Sequence, residues 1–88
     1  MKIKKDYLLR EIAGVHIVVP VGERVIDFKG MMTLNDSGCF IWKCLSDNIT
    51  YEQLLSSILD EYEIEEATAR TDLDEFLNTA RENGVLDE

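Results

Sequence analysis

Few residues in this 88-residue chain are of types that do chemistry on their own. Ser37 follows an aspartate in Asp36-Ser37-Gly38, at what reads as a helix start, and a serine so placed can carry a covalently attached arm. Cys39 and Cys44 lie five residues apart on that helix, about 140° around its axis, so they point apart and neither form a disulfide nor share a metal. His16 is the chain's one histidine. It falls in a β-branched stretch, where the expectation is a surface or edge residue and not a base. The sequence holds no Ser/Cys–His–acid set, no metal-ligand cluster and no phosphate loop. The expectation is a binding protein, not an enzyme, that uses neither cofactor nor metal.

Those residues must be positioned by a small fold. A chain of this length makes one domain, 1–88, and needs most of its apolar residues for a core, which leaves little for a deep catalytic cavity. Hydrophobic residues are 45% and charged residues 31%, the balance of a folded globular chain. The formal charge of −9 is uneven: residues 1–34 carry six Lys/Arg against four Asp/Glu, and residues 35–88 carry three against fourteen. An acidic helical half repels phosphate backbones, which argues against nucleic acid as a partner. With two unpaired thiols, no apolar run long enough for a bilayer and no signal-peptide pattern, the expected setting is the cytoplasm, away from membranes.

Two patterns divide the chain. Up to Leu34 it reads as strands, within about 7–34. Tyr7 to Val21 is broken at Ala13-Gly14 and predicts a hairpin, with Pro20 tolerated at a strand end or edge. Residues 1–6, with three lysines, read as a frayed lead-in. Val25-Ile26-Asp27-Phe28 and Met31-Met32-Thr33-Leu34 flank Lys29-Gly30. They are either one kinked strand or a second hairpin with Gly30 in the turn.

From Asn35 onward the period is helical. Asn35 is a strong N-cap, with Leu34 and Cys39 at the positions of a hydrophobic staple, and predicts a helix over about 36–46. Its apolar stripe is Phe40, Ile41, Cys44 and Leu45, widened by Trp42. Thr50 and Gln53 make a capping box for a helix over about 51–62, with Leu54, Leu55, Ile58, Leu59 and Tyr62 on one face. Glu65 and Glu66 favour the start of a third helix, about 66–83, whose stripe is Ala69, Leu73, Phe76 and Ala80. Gly84 is its left-handed C-cap. Val85-Leu86 then folds back on the core. Short sheet plus three helices fits an α+β, winged-helix-like domain.

Leu34-Asn35, then Ile41-Trp42 and Leu45, together resemble the signature of the PqqD-like family. The similarity extends over roughly Val18 to Leu86. It includes Thr50-Tyr51-Glu52-Gln53-Leu54-Leu55, Tyr62, Asp72 with Phe76-Leu77, and Gly84-Val85-Leu86. What this resemblance implies is a peptide-recognition element in the biosynthesis of ribosomally made, post-translationally modified peptides. Such a domain binds the leader segment of a precursor peptide as an added strand against the third helix. It presents that segment to a modifying enzyme, such as a radical S-adenosylmethionine enzyme, or to a leader peptidase. Carried onto this chain, the peptide-binding residues would be Met31, Met32, Thr33, Arg70, Leu73, Asp74, Leu77 and Arg81. A longer segment between Pro20 and Met31 departs from the pattern and leaves open whether the docking strand is 25–28 or 31–34. The domain would work as a monomer or weak dimer.

The physics of such a site is independent of the family, because an open sheet edge offers unpaired amides and carbonyls to an extended peptide. Met31 and Met32 either line a pocket that adapts to the peptide, for which methionine is suited, or alternate with one in the core and the other on the surface. Leu77, about 100° around the helix from Phe76, is expected at the groove margin.

Two other classes compete. Acyl carrier proteins are also small and acidic and attach phosphopantetheine to a serine after aspartate. Here, however, Ser37 is followed by Gly where they have Leu, and strands stand where they have a long helix. A winged-helix DNA-binding regulator is permitted by the fold. Its third helix would have to meet phosphate with Glu65, Glu66, Asp72, Asp74 and Glu75 against only Arg70 and Arg81. Co-expression with a phosphopantetheinyl transferase is therefore expected to leave the intact mass unchanged. A gain of one phosphopantetheine arm that disappears in Ser37→Ala would establish the carrier reading instead.

Overall fold

Local chemistry sets the boundaries of most elements in the computed structural model, which describes residues 1–21 and 32–88. The segment Val25–Phe28, the turn expected at Gly30 and Met31 lie outside the described residues. Strands β2 (Tyr7–Ile12) and β3 (Val15–Pro20) form the hairpin, with Ile12 opposite Val15 across a two-residue turn. Both turn residues have positive φ, 52° at Ala13 and 79° at Gly14. That turn matches the twist of the two strands, at a cost of about 1–2 kcal/mol for an alanine in the left-handed region. Strand β4 (Met32–Leu34) pairs antiparallel with β3, giving the order β2-β3-β4.

The lead-in expected to fray is anchored instead. Strand β1 (Lys2–Ile3) pairs with β5 (Leu86–Asp87) as a separate two-stranded sheet. The Ile3 amide donates to the Leu45 carbonyl and the Lys4 amide to that of Val85, both at 2.9 Å. The Met1 nitrogen donates to Asn48 Oδ1 at 2.8 Å and to the Ile49 carbonyl at 2.9 Å. Two residues are too few to show a period, and their partners lie more than 40 positions away, so no local pattern announces this clamp.

Helix α1 (Asp36–Cys44) begins at Asn35, whose Oδ1 accepts the Gly38 amide at 2.8 Å. The staple residues Leu34 and Cys39 are both buried. The stripe of α1 is rotated slightly from expectation: Cys39, Ile41, Trp42 and Leu45 are buried, while Phe40 and Cys44 are only partly so. Helix α2 (Tyr51–Glu61) carries the full capping box of Thr50 and Gln53 and buries Leu54, Leu55 and Ile58. Tyr62 stacks edge-on against Phe40, ring centroids 5.6 Å apart.

Helix α3 (Glu66–Glu82) ends as its glycine predicts. Gly84 has φ 70°, its amide reaches the Arg81 carbonyl, and the Val85 amide reaches that of Ala80, the paired bonds of a Schellman motif. Val85 and Leu86 then return to the core.

The core lies between the inner face of the sheet and the three helices, with Val18, Leu45, Leu54, Leu73 and Val85 fully buried. Each such side chain contributes about 1.5–3 kcal/mol. The result is an α+β, winged-helix-like fold. His16 is half-buried on the central strand β3, not at an edge. Trp42 is 7% exposed within this core. Trp42→Ala is expected to lose about 3–5 kcal/mol in denaturant unfolding, and a variant that melts like the unaltered protein would contradict that role.

Candidate functional site

Hydrogen bonding along an antiparallel sheet alternates sides residue by residue, and that alternation identifies the open edge. A two-residue hairpin is closed by a hydrogen-bonded pair, here Ile12 and Val15. Ile17 and Val19 therefore also turn their main chain toward β2, and the Val21 amide continues the series to the Asp6 carbonyl at 2.8 Å. His16 and Val18 turn theirs toward β4, opposite Leu34 and Met32. Met32 and Leu34 thus spend their amides on β3. Thr33 directs its N–H and C=O away from the sheet, where no partner strand lies among the described residues.

Side chains alternate in step. Met32 and Leu34 are 4% and 9% exposed, and Thr33 is exposed. Beside this edge runs a groove of about 220 Å³, lined by β4, the start of α1 and one stripe of α3. Its floor is Met32, Leu34, Ile41 and Phe76, all buried. The α3 wall is Asp72, Glu75, Phe76 and Thr79, at the i, i+3, i+4, i+7 spacing of one helix face. A groove of this volume is below the range of small-molecule pockets, about 300–1,000 Å³, and suits side chains of an extended segment. At the Asp72 end it adjoins a smaller recess of about 130 Å³ lined by Ile41, Ile58, Tyr62 and Ile64.

The junction of β4 and α1 is tightly built. Ser37 donates its hydroxyl to Asn35 Oδ1 at 3.0 Å, so that oxygen serves both the hydroxyl and the Gly38 amide. A β-carbon on Gly38 would stand 3.2 Å from Asn35 Oδ1 and 3.3 Å from Leu34 Cβ. The glycine is there for close approach.

Of the residues singled out from the sequence, Met32 and Thr33 line the groove, and Met31 lies outside the described residues. The others are placed elsewhere. Leu73 is fully buried. Leu77, expected at the groove margin, is 1% exposed and belongs to the core, because α3 is packed across a broader face than its 4-3-4 stripe suggests. Arg70 bonds Glu52 and Glu66, each at 3.3 Å, and lies 5.8 Å from the centre of the Tyr51 ring. Asp74 accepts the Tyr51 hydroxyl at 2.8 Å. Arg81 grips Glu88 at 2.8 and 3.0 Å. The Arg70–Asp74 side of α3 therefore faces α2, and the Asp72–Thr79 side faces β4.

Sequence reasoning missed Asp72, Glu75, Phe76 and Thr79 as a groove wall. One local signal was available: Glu66 stands four residues before Arg70, a pairing that engages the arginine on its own helix.

The electrostatics agree with this division. The hydrogen bond that Arg70 donates to Glu52, with its interaction with the Tyr51 oxygen, holds its guanidinium above its ordinary value, and the bond to Glu88 does the same for Arg81. In turn, Arg81 holds the Glu88 carboxyl below the usual range. Burial pushes both thiols up, Cys39 and Cys44 alike, which makes them poorer nucleophiles than free cysteine. Among the described residues no three His, Cys, Asp or Glu cluster as a metal site would require.

Strand order and helix placement define a winged-helix-like α+β domain with an edge strand lying beside its last helix. A family model described as Coenzyme PQQ synthesis protein D (PqqD) matches residues 16–86, and the chain belongs to that family. A solved structure, "TbiB1 in Complex with the TbiA(beta) Leader Peptide", is similar in fold, with a TM-score of 0.75 over 99% of this chain and 95% of that one. The two are 22% identical. No curated protein sequence matches.

The α2-facing side of α3 is directly testable. The Tyr51 phenol is held above its ordinary value, chiefly because its proton is donated to the Asp74 carboxylate. Asp74→Asn is expected to lower the Tyr51 titration midpoint, read from its ring carbon resonances by NMR. An unmoved midpoint would mean that the bond does not form in solution.

Proposed function

We propose that this protein binds the leader segment of a ribosomal precursor peptide as a strand added to β4. It presents that segment to a peptide-modifying enzyme, such as a radical S-adenosylmethionine enzyme, or to a leader peptidase. The observation that carries this reading is Thr33, whose outward N–H and C=O stand beside a groove with an apolar floor. Membership in the PqqD family supports it, as does a shared fold with a protein solved together with a leader peptide. In this reading the domain is an adaptor and not a catalyst, acts in the cytoplasm, and works as a monomer or weak dimer. No helix among the described residues is long and apolar enough to cross a membrane.

Magnitudes assign the parts. The two main-chain bonds at Thr33 contribute about 0.5–1.5 kcal/mol each, whereas micromolar affinity requires about 8 kcal/mol. The main chain therefore sets register and direction. Side chains seated over Met32, Leu34, Ile41 and Phe76 supply most of the affinity.

Proline separates the two contributions, since it removes one amide donor while tolerating extended backbone. Thr33→Pro is expected to weaken leader binding about two- to tenfold in calorimetric titration, with its melting curve close to the unaltered protein. Met32→Pro removes an amide bonded to β3 and is expected to damage the fold. The peptide for this test is the leader of a precursor encoded beside this protein. Unchanged affinity in a folded Thr33→Pro would move the peptide off β4.

A further inference from the structure

Among the described residues, the groove beside β4 carries charge of one sign. Asp72 and Glu75 stand one turn apart on its α3 wall, both exposed, and no described residue lining the groove is basic. Neither carboxylate has a hydrogen-bond or ion-pair partner among the described residues. The two arginines of α3 cannot serve them, because Arg70 is held by Glu52 and Glu66 on the other flank and Arg81 by Glu88. The floor between this wall and the Thr33 edge is apolar, and the recess beyond Asp72 is apolar as well, with Ile64 38% exposed at its lip.

We infer that the groove selects a basic, apolar-anchored peptide: an extended segment that sets Lys or Arg opposite Asp72 and Glu75 and lowers a bulky apolar side chain into the Ile41/Ile58/Tyr62/Ile64 recess. This rests on the leader-binding reading and narrows it to a class of leader. Same-face side chains on a strand are about 6.6–6.8 Å apart, and Asp72 and Glu75 are separated by about 4.5 Å of helix rise. One basic side chain therefore spans both carboxylates, and its same-face neighbour reaches the recess. An acidic leader would instead meet two carboxylates at close range.

The experiment pans random twelve-residue display peptides on the full chain, then measures selected peptides by fluorescence anisotropy. The targets are the unaltered protein, Asp72→Asn/Glu75→Gln, Thr33→Pro, and a charge-matched control, Asp60→Asn/Glu82→Gln, at exposed positions outside the groove. The expected result is enrichment of Lys or Arg beside an apolar residue, and loss of about tenfold affinity in Asp72→Asn/Glu75→Gln at low salt, the size of loss two exposed ion pairs can account for. That loss should shrink at high salt and be absent in the control. Peptides that depend on Thr33 but bind Asp72→Asn/Glu75→Gln unchanged, or lose as much in the control, would overturn the charge selection and leave strand addition standing. Selected peptides indifferent to Thr33→Pro would overturn both.

Discussion

A single side-chain oxygen, Asn35 Oδ1, ends the edge strand and starts the first helix. It accepts the Gly38 amide at 2.8 Å and the Ser37 hydroxyl at 3.0 Å, and the absence of a β-carbon on Gly38 lets the strand end lie against the helix's first turn. With no loop between β4 and α1, the direction of the strand fixes the direction of the helix. Leu34 and Cys39, buried on either side of the junction, hold that angle through packing. Whatever reaches the outer edge at Thr33 therefore meets a groove whose floor and far wall are already in place.

The third helix divides its surface between two tasks. Its buried stripe, Ala69, Leu73, Phe76, Leu77 and Ala80, fills the core. On one flank Arg70 and Asp74 are tied to α2 through Glu52 and Tyr51. On the other, Asp72, Glu75 and Thr79 face the groove. Exposed pairs such as Arg70–Glu52 add little stability, about 0–1 kcal/mol. Their effect is to occupy the cations of α3 on the α2 side, which leaves carboxylates as the charged groups among the described residues lining the groove.

The two ends of the described chain close on each other. Strand β1 pairs with β5, and the Schellman turn at Gly84 is what redirects Val85 and Leu86 to meet it. This second small sheet sits apart from β2-β3-β4. The acidic helical half thus has its own closure, independent of the hairpin.

The sequence by itself determined the elements whose signals are local. Asn35, the Thr50/Gln53 box and Gly84 set helix ends through bonds spanning only a few residues, and Ala13-Gly14 set the hairpin turn. The order and spacing of Leu34-Asn35, Ile41-Trp42 and the Thr50 helix carried the family. Only the tertiary structure decided the pairing of β1 with β5, because a two-residue strand has no period and its partner is some 80 positions away. The same holds for α3: periodicity reports which face is buried but not which neighbouring flank meets the sheet and which meets α2. For that reason Leu77, Arg70 and Arg81 were expected in the groove, and Asp72, Glu75, Phe76 and Thr79 line it. The outward aim of Thr33 also required the register, since shifting a strand by one residue exchanges inward and outward amides, and register is set by contacts far apart in the chain.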